Sequence, residues 1–165
     1  MQSMNKSHLI ATICEMLEQD LIRLKEAALA TYEAATHEES KAENEYDTRG
    51  LEASYLAGAQ VKRVAETEEI LFLFRTFEKE LKKQSAASKK VIATSLVEVE
   101  YKNQKSLVFV MPKGGGITLS YEGQAVQVVT PSSPLGGSLI GLSAGDVAVV
   151  ETGTQVREYD VLSVQ

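Results

Sequence analysis

Residues 10–35, IATICEMLEQDLIRLKEAALATYEAA, decide the fold. Apolar or small side chains fall at Ile10, Ile13, Leu17, Leu21, Leu24, Ala28, Thr31 and Ala35. Steps of three and four put all of them on one stripe of an α-helix, and a stripe held over this length is a coiled-coil seam. A second series, Ala57, Val61, Val64, Leu71, Phe74, Phe77 and Leu81, repeats the pattern, with Glu68 interrupting it. Two such stripes can cover each other. Between them, Thr36 to Asn44 loses the apolar repeat and gathers polar and charged residues, the composition of a connection between antiparallel helices. The first half of the chain therefore reads as an antiparallel coiled-coil hairpin with its tip near 36–47. With arms of about 30 residues at roughly 1.5 Å rise each, it reaches about 45 Å. Small seam residues near the tip and Leu and Phe at the base predict a hairpin that tapers outward.

Past the second series the composition changes. Nine of the eleven Gly and all three Pro lie after residue 110, so helix formers yield to turn formers. Predicted strands run over Thr94 to Tyr101, Ser106 to Met111, Gly116 to Tyr121, Gln124 to Thr130, Asp146 to Glu151 and Val156 to Val164. The connections Lys102-Asn103-Gln104 and Glu122-Gly123 are of hairpin length, which predicts antiparallel pairing. Only Leu135 to Leu142 leaves room for a short helix. Ser132 or Ser133 would cap it, Pro134 suits its first turn, and Gly141 or Gly145 would end it. The fold class is α+β: a hairpin domain over 1–88 and a small antiparallel sheet domain with one short helix over 89–165.

Bulk properties bound the function. A net charge of -6 and a pI near 5.0 argue against a protein that coats nucleic acid, since phosphate binding needs a clustered basic surface; any nucleic-acid role is expected to be indirect. The single cysteine, Cys14, cannot close an intramolecular disulfide, and no secretory signal is apparent, which predicts a cytoplasmic setting. The longest uninterrupted aliphatic and aromatic run, Ile70 to Phe74, is far short of the roughly 20 residues of a membrane span. That run is nevertheless too apolar for a two-helix seam and predicts a further cover, either the C-terminal domain or a second copy.

Catalytic constellations are sparse. Met111-Pro112-Lys113-Gly114-Gly115-Gly116 is followed by a strand rather than by the Lys-Ser/Thr pair and helix of a phosphate loop, and reads as a turn. His8 and His37 have no second ligand at metal spacing, and the serines of the second half lack a histidine partner. Cys14 lies beside the seam without an activating base and is expected to be inert. The functional clue is the acidity of the tip region, with Glu33, Glu38, Glu39, Glu43, Glu45 and Asp47 against Lys41 and Arg49. These acids either solvate the connection and offset a helix macrodipole, or present oxygen ligands to a divalent cation in another macromolecule.

The stretch Val129-Thr130-Pro131-Ser132-Ser133-Pro134-Leu135-Gly136-Gly137-Ser138-Leu139-Ile140-Gly141 resembles the C-terminal domain of the Gre (GreA/GreB) transcription elongation factors, as do Ala144-Gly145-Asp146 and Arg157 to Leu162. Glu43-Asn44-Glu45-Tyr46 is similar to the Glu-Asn-Ala-Glu-Tyr of Gre tips, one residue shorter. The resemblance implies an FKBP-like second domain that docks at the rim of the secondary channel of bacterial RNA polymerase, with Ser132, Ser133, Pro134 and Leu135 as docking residues. It also implies a hairpin that passes down the channel, whose tip carboxylates help hold the second catalytic magnesium while the polymerase cleaves backtracked RNA. Such a chain has no catalytic residue and no cofactor of its own, and shares the polymerase's Mg2+. A monomer is expected.

The tip departs from the Gre pattern, which carries an Asp and then a Glu three residues later. Either alignment register keeps one acid of that pair, with Ser40 at the Asp position or Ala42 at the Glu position. Glu39 and Glu43, four apart, are the foremost magnesium-orienting candidates, with Glu38 and Glu45 beside them. A cleavage-stimulating factor and a non-cleaving competitor for the channel both remain open. So do a prolyl isomerase, disfavoured by the scarcity of aromatic residues in the second half, and a plain coiled-coil interaction module.

Overall fold

A computed structural model describes residues 5–37, 49–81 and 88–165. Helices α1 (Lys6–Thr36) and α2 (Arg49–Leu81) belong to one compact unit, and a six-stranded sheet with one short helix forms another. This is the expected α+β architecture of a helical hairpin followed by a sheet domain.

In the helical unit the seam residues are buried where large side chains meet. Ile10, Ile13 and Leu17 on α1 and Leu71, Phe74 and Phe77 on α2 are almost wholly inaccessible, and the small Ala28 and Ala57 are buried farther along. Two ion pairs set the register. Arg75 pairs with Glu18, and Lys25 Nζ lies 2.7 Å from Glu68 Oε1. Seven residues forward on α1 correspond to seven residues back on α2, which only antiparallel helices in a single register satisfy. Glu68, the break in the second seam, is thus on the flank as half of a cross-helix pair.

One seam expectation needs correction. Val61 is 59% exposed: Ala57, Val64 and Leu71 repeat every seven residues, and a residue four past Ala57 falls on the flank rather than in the groove. Gln60 takes the inward position, and its Oε1 is sealed from solvent without a hydrogen-bond partner among the described residues. In the Ile70 to Phe74 run, Leu71 and Phe74 are buried and Phe72 is 72% exposed, so the described residues do not cover the whole run.

The sheet comprises β1 (Leu96–Tyr101), β2 (Gln104–Val110), β3 (Thr118–Tyr121), β4 (Gln124–Val129), β5 (Val147–Thr152) and β6 (Gln155–Val164), in the order β3-β4-β2-β1-β6-β5. Lys102-Asn103 and Glu122-Gly123 all have positive φ and close two-residue hairpins, a backbone twist that suits right-twisted strands. Alternate residues Val97, Val99, Val108 and Val110 share a core with Val91, Val129, Leu139, Ala148 and Val161.

All-antiparallel pairing was the sequence expectation, and one pair departs from it: β2 and β4 are parallel, with Leu107 opposite Val126 and Val110 opposite Val129. Pro112, with no N–H, cannot extend the ladder, and the glycine-rich connection after Met111 carries the chain to the sheet edge, where β3 forms. The β3–β4 hairpin then returns β4 into the gap beside β2. Hydrogen bonds from Met111 N to Val129 O (2.8 Å) and Gly116 N to Val128 O (3.0 Å) hold the crossover against β4.

Candidate functional site

The sheet unit presents a turn and short helix with a cleft beside them. Helix α3 (Pro134–Leu139) follows β4 after four residues. Ser133 has extended backbone, and its Oγ accepts from Gly136 N (3.1 Å), satisfying one of the free donors of the first turn. The same hydroxyl donates to Thr130 O at 2.7 Å. Pro134 fills the first helical position, where a missing N–H costs nothing. The Ser132 and Thr130 hydroxyls lie 3.0 Å apart, so the turn is tied at both serines. At the other end, Ile140 N donates to Gly136 O, and Gly141 with φ 86° turns the chain so that its N–H reaches Val91 O at 2.8 Å. The helix is shorter than the expected Leu135 to Leu142, because this turn ends it at Leu139.

Gly136 explains why the segment has one geometry. A Cβ there would sit 2.0 Å from Thr130 O and 2.7 Å from its carbonyl carbon. Helix α3 therefore rests on the backbone of the preceding turn at a distance that only glycine permits. Leu139 is fully buried, and Leu135 packs partly buried against the same core.

A cleft of about 540 Å³ opens alongside, lined by Gly115, Thr130, Ser133, Pro134, Leu135, Thr152, Arg157 and Tyr159 among others. Of the four docking candidates, Ser133, Pro134 and Leu135 line it, whereas Ser132 is exposed on the turn and does not. Tyr159 is the only aromatic residue among the described residues of its lining, and its ring stacks tilted on Tyr101 with centroids 5.0 Å apart. Arg157 brings a cation to the rim and donates to Gln155 Oε1 at 3.2 Å. Thr130, Arg157 and Tyr159 had not been singled out from sequence as site residues. The available signal was the Gly136-Gly137 pair within a helix, where glycine is unfavourable unless backbone must approach closely.

The magnesium-orienting candidates Glu38, Glu39, Glu43 and Glu45 lie outside the described residues. What is described is how the helices lead to that segment. Glu33 is exposed one turn before the end of α1, and its carbonyl accepts from His37 N at 2.9 Å. Glu52 occupies the first turn of α2, where a carboxylate complements the helix dipole. Cys14 is buried; desolvation, reinforced by Glu78 and only partly opposed by Arg75, pushes its thiol up to about 11. A thiol so disposed is a poor nucleophile at neutral pH. Among the described residues no helix is long and apolar enough to cross a membrane.

No protein-family model matches the chain, and no curated protein sequence does. Solved structures do. The crystal structure of GreA factor homolog 1 (Gfh1) of Thermus thermophilus is 24% identical, with 92% of this chain and 94% of that one covered and a TM-score of 0.35. For Gfh1 of Thermus aquaticus the identity is 21%, the coverage 92% of each chain and the TM-score 0.37. A prokaryotic elongation factor GreA/GreB from Nitrosomonas europaea is 18% identical over 65% of this chain and 92% of its own, with a TM-score of 0.35. Likenesses of this size carry no functional argument.

Proposed function

We propose that this chain is a Gre-type transcription factor that binds bacterial RNA polymerase and acts through the secondary channel. The observation that carries the reading is the antiparallel hairpin itself. Two helices of 31 and 33 residues are held in one register by cross-helix ion pairs, and their connection falls on the most acidic stretch of the sequence. At about 1.5 Å per residue each helix is close to 50 Å long, enough to carry side chains deep into a narrow channel. The sheet unit supplies the second requirement, a rigid turn with exposed Ser132 and Pro134 and half-buried Leu135, positioned by Gly136 and the Ser133 cap.

In this reading the chain has no bond-breaking chemistry of its own. Glu39 and Glu43, with Glu38 and Glu45 nearby, offer carboxylate oxygens to the polymerase's own Mg2+, a hard cation that prefers oxygen ligands. A second cation so held would stabilise the attacking and leaving oxygens of a phosphodiester displacement. The test is transcript cleavage by a backtracked polymerase complex with the unmutated chain, Glu39→Ala and Glu43→Ala. Stimulation lost in either variant supports the cleaving form. Binding without stimulation supports the second reading, a non-cleaving competitor, which the loss of one acid of the Gre tip pair in either register favours.

A further inference from the structure

The hairpin has two unlike flanks. On one, the ion-pair line of Glu18–Arg75 and Lys25–Glu68 continues toward the tip, seven residues on, as Tyr32 and Val61. Outboard of that line, at helical steps of three, four or seven, stand Ile22 and Leu29 on α1 and Leu51 and Phe72 on α2. Among the described residues, these six account for six of the eight large apolar side chains left exposed on the two helices, each more than half accessible. The opposite flank carries Asp20, Arg23, Arg63 and Glu66. A helix pair sorted in this way has a buried seam and, beside it, a second apolar face without a partner among the described residues.

We infer that this face is an interface with a second copy of the chain. Its charges are self-complementary. A two-fold axis parallel to the hairpin lays α1 of one copy over α2 of the other at the same level. Glu18 then meets Arg75 of the second copy, Lys25 meets its Glu68, and Ile22 and Tyr32 meet its Phe72 and Val61. An axis across the hairpin between the two ion pairs instead sets Glu18 against Lys25 and Glu68 against Arg75, again opposite in sign. Like charges therefore never oppose each other, as an isologous contact demands. The area suffices for a reversible dimer: from Leu51 to Phe72 the face is roughly 32 Å long, and across two helices about 20 Å wide. It would remove on the order of 600 Å² from each copy, near the lower bound for specific association. Self-association through this face departs from the monomer favoured from sequence, and it does not depend on whether the chain binds polymerase.

Sedimentation equilibrium of the full chain tests this. The weight-average mass should rise from 18.0 kDa toward twice that value as concentration increases from about 1 μM to about 1 mM, the range in which an interface of this size associates. Val61→Glu/Phe72→Glu should stay at the monomer mass throughout with unchanged helical circular dichroism, since both side chains are exposed. Leu56→Glu, exposed and one heptad before Arg63 on the opposite flank, should dimerise like the unmutated chain. A chain that remains monomeric at the highest concentration overturns the inference. So does a dimer indifferent to the paired substitution, or one abolished equally by Leu56→Glu.

Discussion

Replacing Gly136 with alanine probes the packing that positions the turn and the cleft. The added Cβ would stand 2.0 Å from Thr130 O, whereas relaxed non-bonded contacts between heavy atoms lie at about 3.5–4.0 Å. The obstacle is backbone, and it is pinned, because Thr130 O already accepts from Ser133 N at 2.9 Å and Ser133 Oγ at 2.7 Å. Helix α3 must back away by more than an ångström. That motion gives up the two Ser133 hydrogen bonds, about 1 kcal/mol each, and about 1–3 kcal/mol from the partial withdrawal of Leu139, which is fully buried. The better helix propensity of alanine returns about 1 kcal/mol, leaving a net loss of about 2–4 kcal/mol. Hydrogen exchange in a urea series reads this, since it reports strand amides separately from those of α1 and α2. Gly58→Ala is the counterpart: its Cβ meets nothing within 4 Å on α2, so it should stabilise the helices by about 0.5–1 kcal/mol. A loss below about 0.5 kcal/mol for Gly136→Ala would refute the close-approach argument.

Gln60→Leu should raise the stability of the helical unit by about 1–2 kcal/mol in denaturant unfolding, because it removes a sealed, unpaired acceptor from the seam and adds apolar contact; a loss would mean that Gln60 has a partner. Cys14, raised from 9.0 to about 11, should show about 100-fold less thiolate than a free thiol at pH 8 and react correspondingly slowly with a disulfide reagent until the helices unfold. Its folded value exceeds its unfolded one, so the stability it contributes is full below pH 9 and falls as pH rises through about 11; thiol titration beside alkaline unfolding measures both. A double-mutant cycle on Lys25 and Glu68, each about half exposed, should return a coupling of only about 0.2–1 kcal/mol that fades in high salt. No coupling at low salt would remove one of the two observations that set the helix register.

The hairpin was legible because its signal is periodic and dense. Steps of three and four over more than twenty residues leave few alternatives to a helix, and Leu71, Phe74 and Phe77 are buried as that spacing requires. The flank assignment failed at Val61, because a 3.6-residue period does not distinguish seam from shoulder at a single position. The supercoil decides it there, and the polar Gln60 won the inward place. In the sheet, strand positions followed alternation and the two-residue turns, but the parallel β2–β4 pair did not, since pairing order depends on where a connection returns rather than on local pattern. At the turn, the Ser133 cap and Pro134 were readable from residue type. The Thr130–Gly136 contact was not, being set by tertiary approach. The run around Phe72 was read as needing a cover, and the described residues leave Phe72 exposed; a run of apolar residues says that a cover is needed, but not whether the same chain supplies it.

The central claim is tested most directly by equilibrium binding of the labelled chain to bacterial core RNA polymerase, measured by fluorescence anisotropy with Leu135→Asp alongside. The account predicts saturable one-to-one binding that is weakened at least about tenfold by Leu135→Asp, about 1.4 kcal/mol of lost contact. It also predicts that Glu39→Ala/Glu43→Ala leaves binding largely intact, because those residues act beyond the docking surface. Failure to bind core polymerase at concentrations up to about 100 μM, with the chain folded, would contradict it.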